Sequence, residues 1–367
     1  MPSKSHIKLF IPGPVEVYPA TFEALSRPLI GHRSGDFMAL YKKLQPRLQK
    51  LFYTANPIYL MTTSAWGAME AAIRNCVAEP SKNGKILILC NGAFSDKWTD
   101  VARACGKNAE SLTWAWGTPI DPEAVRNKLR EGGFDAVAFI CNETSVGLQN
   151  PFAEIMAVVR EFPEVISIVD TVSNFSALKI PQDELGIDVM LTGTQKALAL
   201  PPGLALVSVS PRALARARTV AGRGFYFDFV EFQNFHEQNL TPSTPNLPLI
   251  FGLDYRCDQI DAEGLDARYA RHAAMNKLAV EWCEANGFPL FPEKKYASVT
   301  LVCAKNERGV DLDALNKKLK ADYSMMINTG YGKLKGKTFR ISTMGDETVE
   351  SVGEVLGAMG KILAPRG

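Results

Sequence analysis

The sequence predicts an α/β fold, and two observations carry that prediction. Apolar runs of strand length recur at 58–61, 86–90, 136–141, 165–169, 189–191 and 204–209, and amphipathic stretches of helical period fall between them at 68–77, 96–105, 122–129 and 152–161. The strand runs are apolar throughout rather than alternating, as expected of strands covered on both faces, so the rhythm is β-α-β and the sheet mostly parallel.

In open sheets of this kind ligands sit outside the carboxyl ends of the strands, which directs attention to the polar residues there: 62–66, 91–94, 142–147, 170–172 and 192–196. The pattern changes after about Asp254. A helical period spans 265–285, a strand-like run follows at 298–304, a second helix near 311–320 and a strand at 338–343, which describes a smaller α+β unit. The segment 222–248, rich in aromatic and polar residues and without a clean period, is read as an irregular connection near the site or a partner subunit. The expected organisation is an N-terminal arm over 1–20, a large domain over 21–255 and a small C-terminal domain over 256–367.

Composition excludes several classes. The 367 residues, 46% hydrophobic and 22% charged with a net charge of +2, suit an ordinary two-domain protein and offer no electrostatic footprint for nucleic acid. Seven cysteines, odd in number and without C-x-x-C spacing, suggest neither a disulfide framework nor a metal site, and a reducing cytoplasm fits them. No stretch reads as a signal peptide or a membrane span.

Three features at the strand ends carry chemistry. Residues 60–70 (LMTTSAWGAME) read as strand, tight turn and helix, so Ser64, Ala65 and Trp66 would offer free backbone N–H groups and the positive end of a helix to a dianion; the alternative is an ordinary connection capped by Ser64. Asp170 closes the 165–170 run (VISIVD), where a carboxylate beside a protonated pyridine nitrogen would keep the ring cationic; the alternative is an Asp capping the next turn. Lys196, in TGTQKA at 192–197, follows another strand. An acid and a lysine at two strand ends are the arrangement that holds pyridoxal phosphate by both ends of its ring. The lysine must be unprotonated often enough to bond the cofactor and carry a proton, which burial favours, and the apolar ALALPPG that follows it argues against a freely solvated side chain.

These residues, with PGP at 12–14, NG at 91–92, ETSVG at 143–147, VDTV at 169–172, GTQKA at 193–197, PPG at 201–203 and KTFRI at 337–341, resemble the class V aminotransferases of fold type I. The similarity covers nearly the whole chain and is greatest to the alanine-glyoxylate and serine-pyruvate (serine-glyoxylate) branch. The resemblance implies that Lys196 bonds the cofactor, that Asp170 faces the pyridine nitrogen, and that Gln195 joins Ser64, Ala65 and Trp66 at the phosphate. It places Ser145 or Thr144 near the phenolic oxygen, Val172 on one ring face and Phe94 on the other. It makes Arg340 the partner of the substrate carboxylate, and Thr244 a residue reaching the phosphate of the neighbouring subunit, hence a homodimer. Ala65 and Trp66 depart from the family's phosphate turn, which usually has a glycine at the first position and a smaller residue or a histidine at the second. The implied activity is a ping-pong transfer of an amino group from a small L-amino acid, alanine or serine, to a 2-oxo acid, glyoxylate or pyruvate.

Other readings stand beside it. His32 and Arg33, in IGHRSGDF at 30–37, are similar to a segment with which phosphoserine aminotransferases bind a substrate phosphate, although such segments also occur in the glyoxylate branch. Cysteine desulfurases share the fold but need a nucleophilic cysteine and a histidine over the ring, where this chain has Phe94. A nucleotide-binding module would need a glycine-rich phosphate loop that the sequence lacks, and a cofactor-free binding protein would be expected to have lost Lys196 or Asp170.

Overall fold

The computed structural model describes residues 6–364. Its centre is a seven-stranded sheet in the spatial order Ile58–Met61, Ala205–Val209, Val189–Gly193, Ile166–Asp170, Ala136–Ile140, Lys85–Cys90 and Asn108–Thr113. Only Ala205–Val209 runs against the others, pairing antiparallel on both sides, so the sheet is mostly parallel as expected. Successive residues of one strand enter opposite cores: Leu87 and Leu89 join one apolar cluster, Ile86, Ile88 and Cys90 the other. Both faces are therefore covered, which is why these strands read as unbroken apolar runs. On one face the helix Ala65–Cys76 lays Ala68, Ala71 and Ala72 against the sheet, small side chains that let its axis come close.

The strand Asn108–Thr113 escapes the sequence pattern because it forms the sheet edge with half-buried and exposed side chains, and NAESLT carries no apolar run. The segment 222–248 is not wholly irregular, a correction to the sequence reading. The helix Phe229–His236 lies inside it, started by Asp228, whose carboxylate accepts the Val230 N–H. A second helix, Leu247–Glu263, begins at its end on an Asn246 cap and runs through residue 255. This helix shows little periodicity because it is buried on most sides, from Leu247 through Asp254 to Ile260.

The C-terminal half builds its own core from the helices Leu265–Ala285, Leu312–Tyr323 and Val349–Leu363 and the antiparallel pair Leu301–Lys305 and Thr338–Ser342. Phe10 enters that core, because Lys8–Phe10 pairs in parallel with Met325–Ile327. The N-terminal segment thus crosses the molecule, carrying Pro12 and Gly13 past the carboxyl ends of the central strands.

Candidate active site

The loops leaving the carboxyl ends of the central strands close around a cavity of about 230 Å³. Asp170 is the last residue of its strand and Lys196 lies three residues beyond the neighbouring one, so pairing of Ile166–Asp170 with Val189–Gly193 brings both to one rim. Each is nearly removed from water, Asp170 at 4% exposure and Lys196 at 9%. Among the described residues they form no direct ion pair.

Burial chiefly pushes the Asp170 carboxyl up to about 7; the Val172 N–H, donated to Oδ1 at 2.7 Å, and the charge of Lys196 pull the other way. The bland expectation of a turn cap is therefore met by one oxygen of Asp170. Burial also holds the Lys196 amine down to about 8, helped by the Arg340 cation and opposed by Asp170. Lys196 Nζ donates to the Pro12 carbonyl. Gly13, at φ +99°, is required there: a Cβ would fall 2.6 Å from Nζ. That contact explains the PGP segment at 12–14 in physical terms.

Across the cavity, Ser64 precedes the helix Ala65–Cys76 in extended conformation, and its hydroxyl does not bond the first-turn N–H groups. The donors of Ala65 and Trp66 are left to an incoming anion. Gln195 folds over Gly193 toward this turn; a Cβ on Gly193 would meet Gln195 Oε1 at 2.5 Å and Ala65 Cβ at 3.3 Å. A buried acid, a buried amine of lowered basicity and an N–H cradle on one cavity fit the ring nitrogen, aldehyde carbon and phosphate of pyridoxal phosphate.

Phe94, Trp66 and Val172 line the same cavity, as does Thr144. Ser145 stands behind the surface, its hydroxyl accepting the Ala93 N–H at 3.0 Å and donating to Glu143 Oε1 at 2.6 Å. Of the expected pair, Thr144 is the one that faces the cavity. Arg340 is buried beside it, with Nη1 donating to the Thr144 carbonyl at 2.8 Å and Nε and Nη2 sharing Asn328 Oδ1 at 3.0 Å.

His32, Arg33 and Thr244 lie apart. Arg33 donates to the carbonyls of Thr241 and Pro242, and Thr244 Oγ1 is 3.5 Å from His32 Nε2 on an exposed segment. The chain does not bring these three to its own cavity. Sequence reasoning missed Tyr331, which lines the cavity from a C-terminal loop and stacks on Phe94, and Asn328, which fixes Arg340. Nothing in their local pattern signals this, since only tertiary folding brings 328–340 to the sheet. Asn142, inside a window the sequence did single out, donates to Ser173 Oγ at 2.8 Å while its Oδ1 is buried without a partner.

A wider, open depression of about 600 Å³ lies at the amino ends of the strands, around Asp183, Asp188 and Arg212. Its buried acid is already satisfied by protein donors, so it does not compete as a reaction site.

The sequence model of aminotransferase class V matches residues 18–352. An uncharacterised aminotransferase of Methanocaldococcus jannaschii is 35% identical over 340 residues, 92% of this chain and 87% of its own. The small subunit of a soluble hydrogenase from a Synechococcus strain is 32% identical over 98% of this chain and 93% of its own. A serine–glyoxylate aminotransferase of Arabidopsis thaliana is 31% identical over 94% and 86%. The crystal structure of an alanine–glyoxylate aminotransferase from Nostoc superposes with a TM-score of 0.92 at 27% identity, covering 99% of this chain and 97% of that one. The chain therefore belongs to the class V aminotransferases, pyridoxal-phosphate-dependent transaminases of fold type I.

Proposed function

We propose that this chain binds pyridoxal phosphate between Asp170 and Lys196 and moves an amino group from a small L-amino acid, alanine or serine, to glyoxylate or pyruvate in a ping-pong cycle. The observation that carries the reading is the pairing of a buried acid and a buried amine on one cavity whose far wall is an unsatisfied helix N-terminus. Bound there, the cofactor supplies an aldehyde for the amino group and a cationic ring that draws electrons from Cα. Asp170 holds the proton on the ring nitrogen. Lys196 Nζ, with its basicity lowered, would take the proton from Cα and deliver it to the carbon that enters as the aldehyde. Ser64, Ala65, Trp66 and Gln195 hold the phosphate, Phe94 and Val172 sandwich the ring, and Thr144 or Ser145 lies toward the phenolic oxygen. Arg340 receives the substrate carboxylate, exchanging part of its hold on Asn328 for a bidentate pair.

On this reading the 21–255 unit carries the cofactor and 256–367 supplies Arg340. A homodimer completes the site, with Thr244 reaching the partner's phosphate from the exposed segment it shares with His32 and Arg33. The cytoplasm suits a chain whose cysteines are all free thiols among the described residues. Glyoxylate is favoured as acceptor because the Arabidopsis and Nostoc relatives bear it in their names.

A desulfurase chemistry gains no support. Cys303 is buried in a strand of the small unit with its thiol pushed up to about 11. A phosphorylated substrate gains little, because Arg33 is engaged with backbone carbonyls.

The test is an absorbance titration of the purified protein, loaded with pyridoxal phosphate, with alanine, serine, aspartate and phosphoserine in turn. Loss of the bound-cofactor band near roughly 400–430 nm with alanine or serine, and its return on adding glyoxylate, is the expected result. A response to phosphoserine alone would replace the substrate assignment, and no response to any amino acid would overturn the reading. Hydrogen uptake in the same preparation would bring forward the hydrogenase name of the Synechococcus relative.

A further inference from the structure

Tyr331 is the cavity residue that no motif announced. Its ring is offset-stacked on Phe94, with centroids 5.1 Å apart and planes at 24°, and the Arg340 guanidinium sits 5.4 Å from its centroid. Phe94 itself lies 6.5 Å from Trp66, so three aromatic rings run in series from the phosphate turn to the arginine. Arg340 and Phe94 are the two groups between which an amino acid's carboxylate and reacting carbon must be held. Any side chain on that carbon shares its space with the Tyr331 phenol.

The residue is presented by a stiff loop. The Gly336 N–H returns to the Thr329 carbonyl at 2.9 Å, closing 329–336 on itself. Leu334 is buried with Val146 and Leu148, and Lys333 Nζ caps the Trp116 ring at 3.8 Å from its centroid. Gly330, at φ +95°, fixes the turn before the tyrosine, since a Cβ there would press within 2.4 Å of the Leu334 carbonyl. Tyr331 is 42% exposed, so it stands at the mouth with its inner face on the cavity. Its hydroxyl has no protein partner among the described residues, which leaves the ring as the working part. The cavity, at about 230 Å³, is smaller than the usual ligand pocket of roughly 300–1,000 Å³.

We infer that Tyr331 is the residue that restricts this enzyme to amino acids with small side chains, by filling the space between Phe94 and Arg340 that a larger side chain would need. The inference rests on the transaminase reading above.

The test compares wild type, Tyr331→Ala and Tyr331→Phe, each loaded with pyridoxal phosphate and matched for thermal unfolding. Two readouts are taken: the ratio of kcat/KM for phenylalanine over alanine, and the ratio of calorimetric Kd values for propionate over 3-phenylpropionate, which carry no amino group to transfer. Tyr331→Ala is expected to raise both ratios about tenfold or more, the discrimination a few methylenes of pocket space provide, whereas Tyr331→Phe keeps the wild-type ratios. Unchanged ratios in Tyr331→Ala, or equal changes in Tyr331→Phe, would overturn the claim. A wild type that turns over neither amino acid would contradict the transaminase reading instead, and the carboxylate ratios would still decide the role of Tyr331.

Discussion

Asp170 and Asp188 are the same residue type, almost equally buried, at opposite ends of adjacent strands of one sheet. Asp188, at the amino end, accepts from the Ser167 N–H at 2.9 Å, the Ser167 and Ser210 hydroxyls at 3.0 and 2.9 Å, and Arg212 Nε at 2.9 Å. Asp170, at the carboxyl end, has one donor among the described residues, the Val172 N–H, and is pushed up to about 7 by its burial. A buried carboxylate with a full set of donors stabilises the fold, whereas one left under-satisfied beside a cavity is held for a ligand. On the proposed reading, the contrast assigns function to one end of the sheet and structure to the other.

The largest effect expected from breaking the functional end is that of Lys196→Ala: transamination falls by roughly three orders of magnitude or more, measured in a coupled assay. At the structural end, Asp188→Ala should cost about 2–4 kcal/mol in chemical denaturation, because Ser167 and Ser210 lose their acceptor, while the folded fraction still binds cofactor. Loss of cofactor binding from the folded fraction would erase the distinction between the two ends. Arg340→Lys should raise KM for alanine about tenfold to a hundredfold with a smaller change in kcat, since a point charge replaces a planar fork. An unchanged KM would remove Arg340 from substrate binding.

The smallest effect sharpens the comparison through pH. Folding raises the Asp170 carboxyl from the ordinary 3.8 to about 7, so the cofactor-free fold gains from its protonated form at low pH and loses that stability as pH rises from about 4 to 7. Asp170→Asn removes this loss. The cofactor-free variant should therefore be more stable than wild type at pH 8, on the order of 2 kcal/mol, and indistinguishable near pH 4, in parallel denaturant titrations. Lys196 works in the opposite sense, lowered from 10.5 to about 8, and its contribution falls away as pH drops through that window in both proteins. An Asn variant that loses stability at pH 8 would mean that Asp170 is structural, like Asp188.

The sequence made the cavity end legible because a buried parallel strand ends abruptly at a residue that lines the cavity: VISIVD stops at Asp170, and GTQK follows an apolar strand. The turn proposed for the phosphate was readable for the same reason, and Gly13 was present as a motif whose purpose, room for Lys196, only the fold explains. What stayed hidden is what distant segments bring. Tyr331 lines the cavity and Asn328 holds Arg340 because the segment before the strand Thr338–Ser342 folds back on it, bridging Asn328 to Arg340, an event with no local signature. The helices Phe229–His236 and Leu247–Glu263 were hidden because burial on several sides, or mixed aromatic and polar faces, blurs a 3.6-residue period. Ser145 was indistinguishable from Thr144 in sequence; the Glu143 carboxylate, by holding the Ser145 hydroxyl, decides which of them faces the cavity.

The most direct measurement is a titration of pyridoxal phosphate into cofactor-free protein, followed by absorbance at roughly 400–430 nm, in wild type, Lys196→Ala and Asp188→Asn. A saturable band in wild type and Asp188→Asn, absent in a folded Lys196→Ala, is the result predicted for a site at the carboxyl ends of the strands. A full band in Lys196→Ala, or its loss in a folded Asp188→Asn alone, would contradict the assignment.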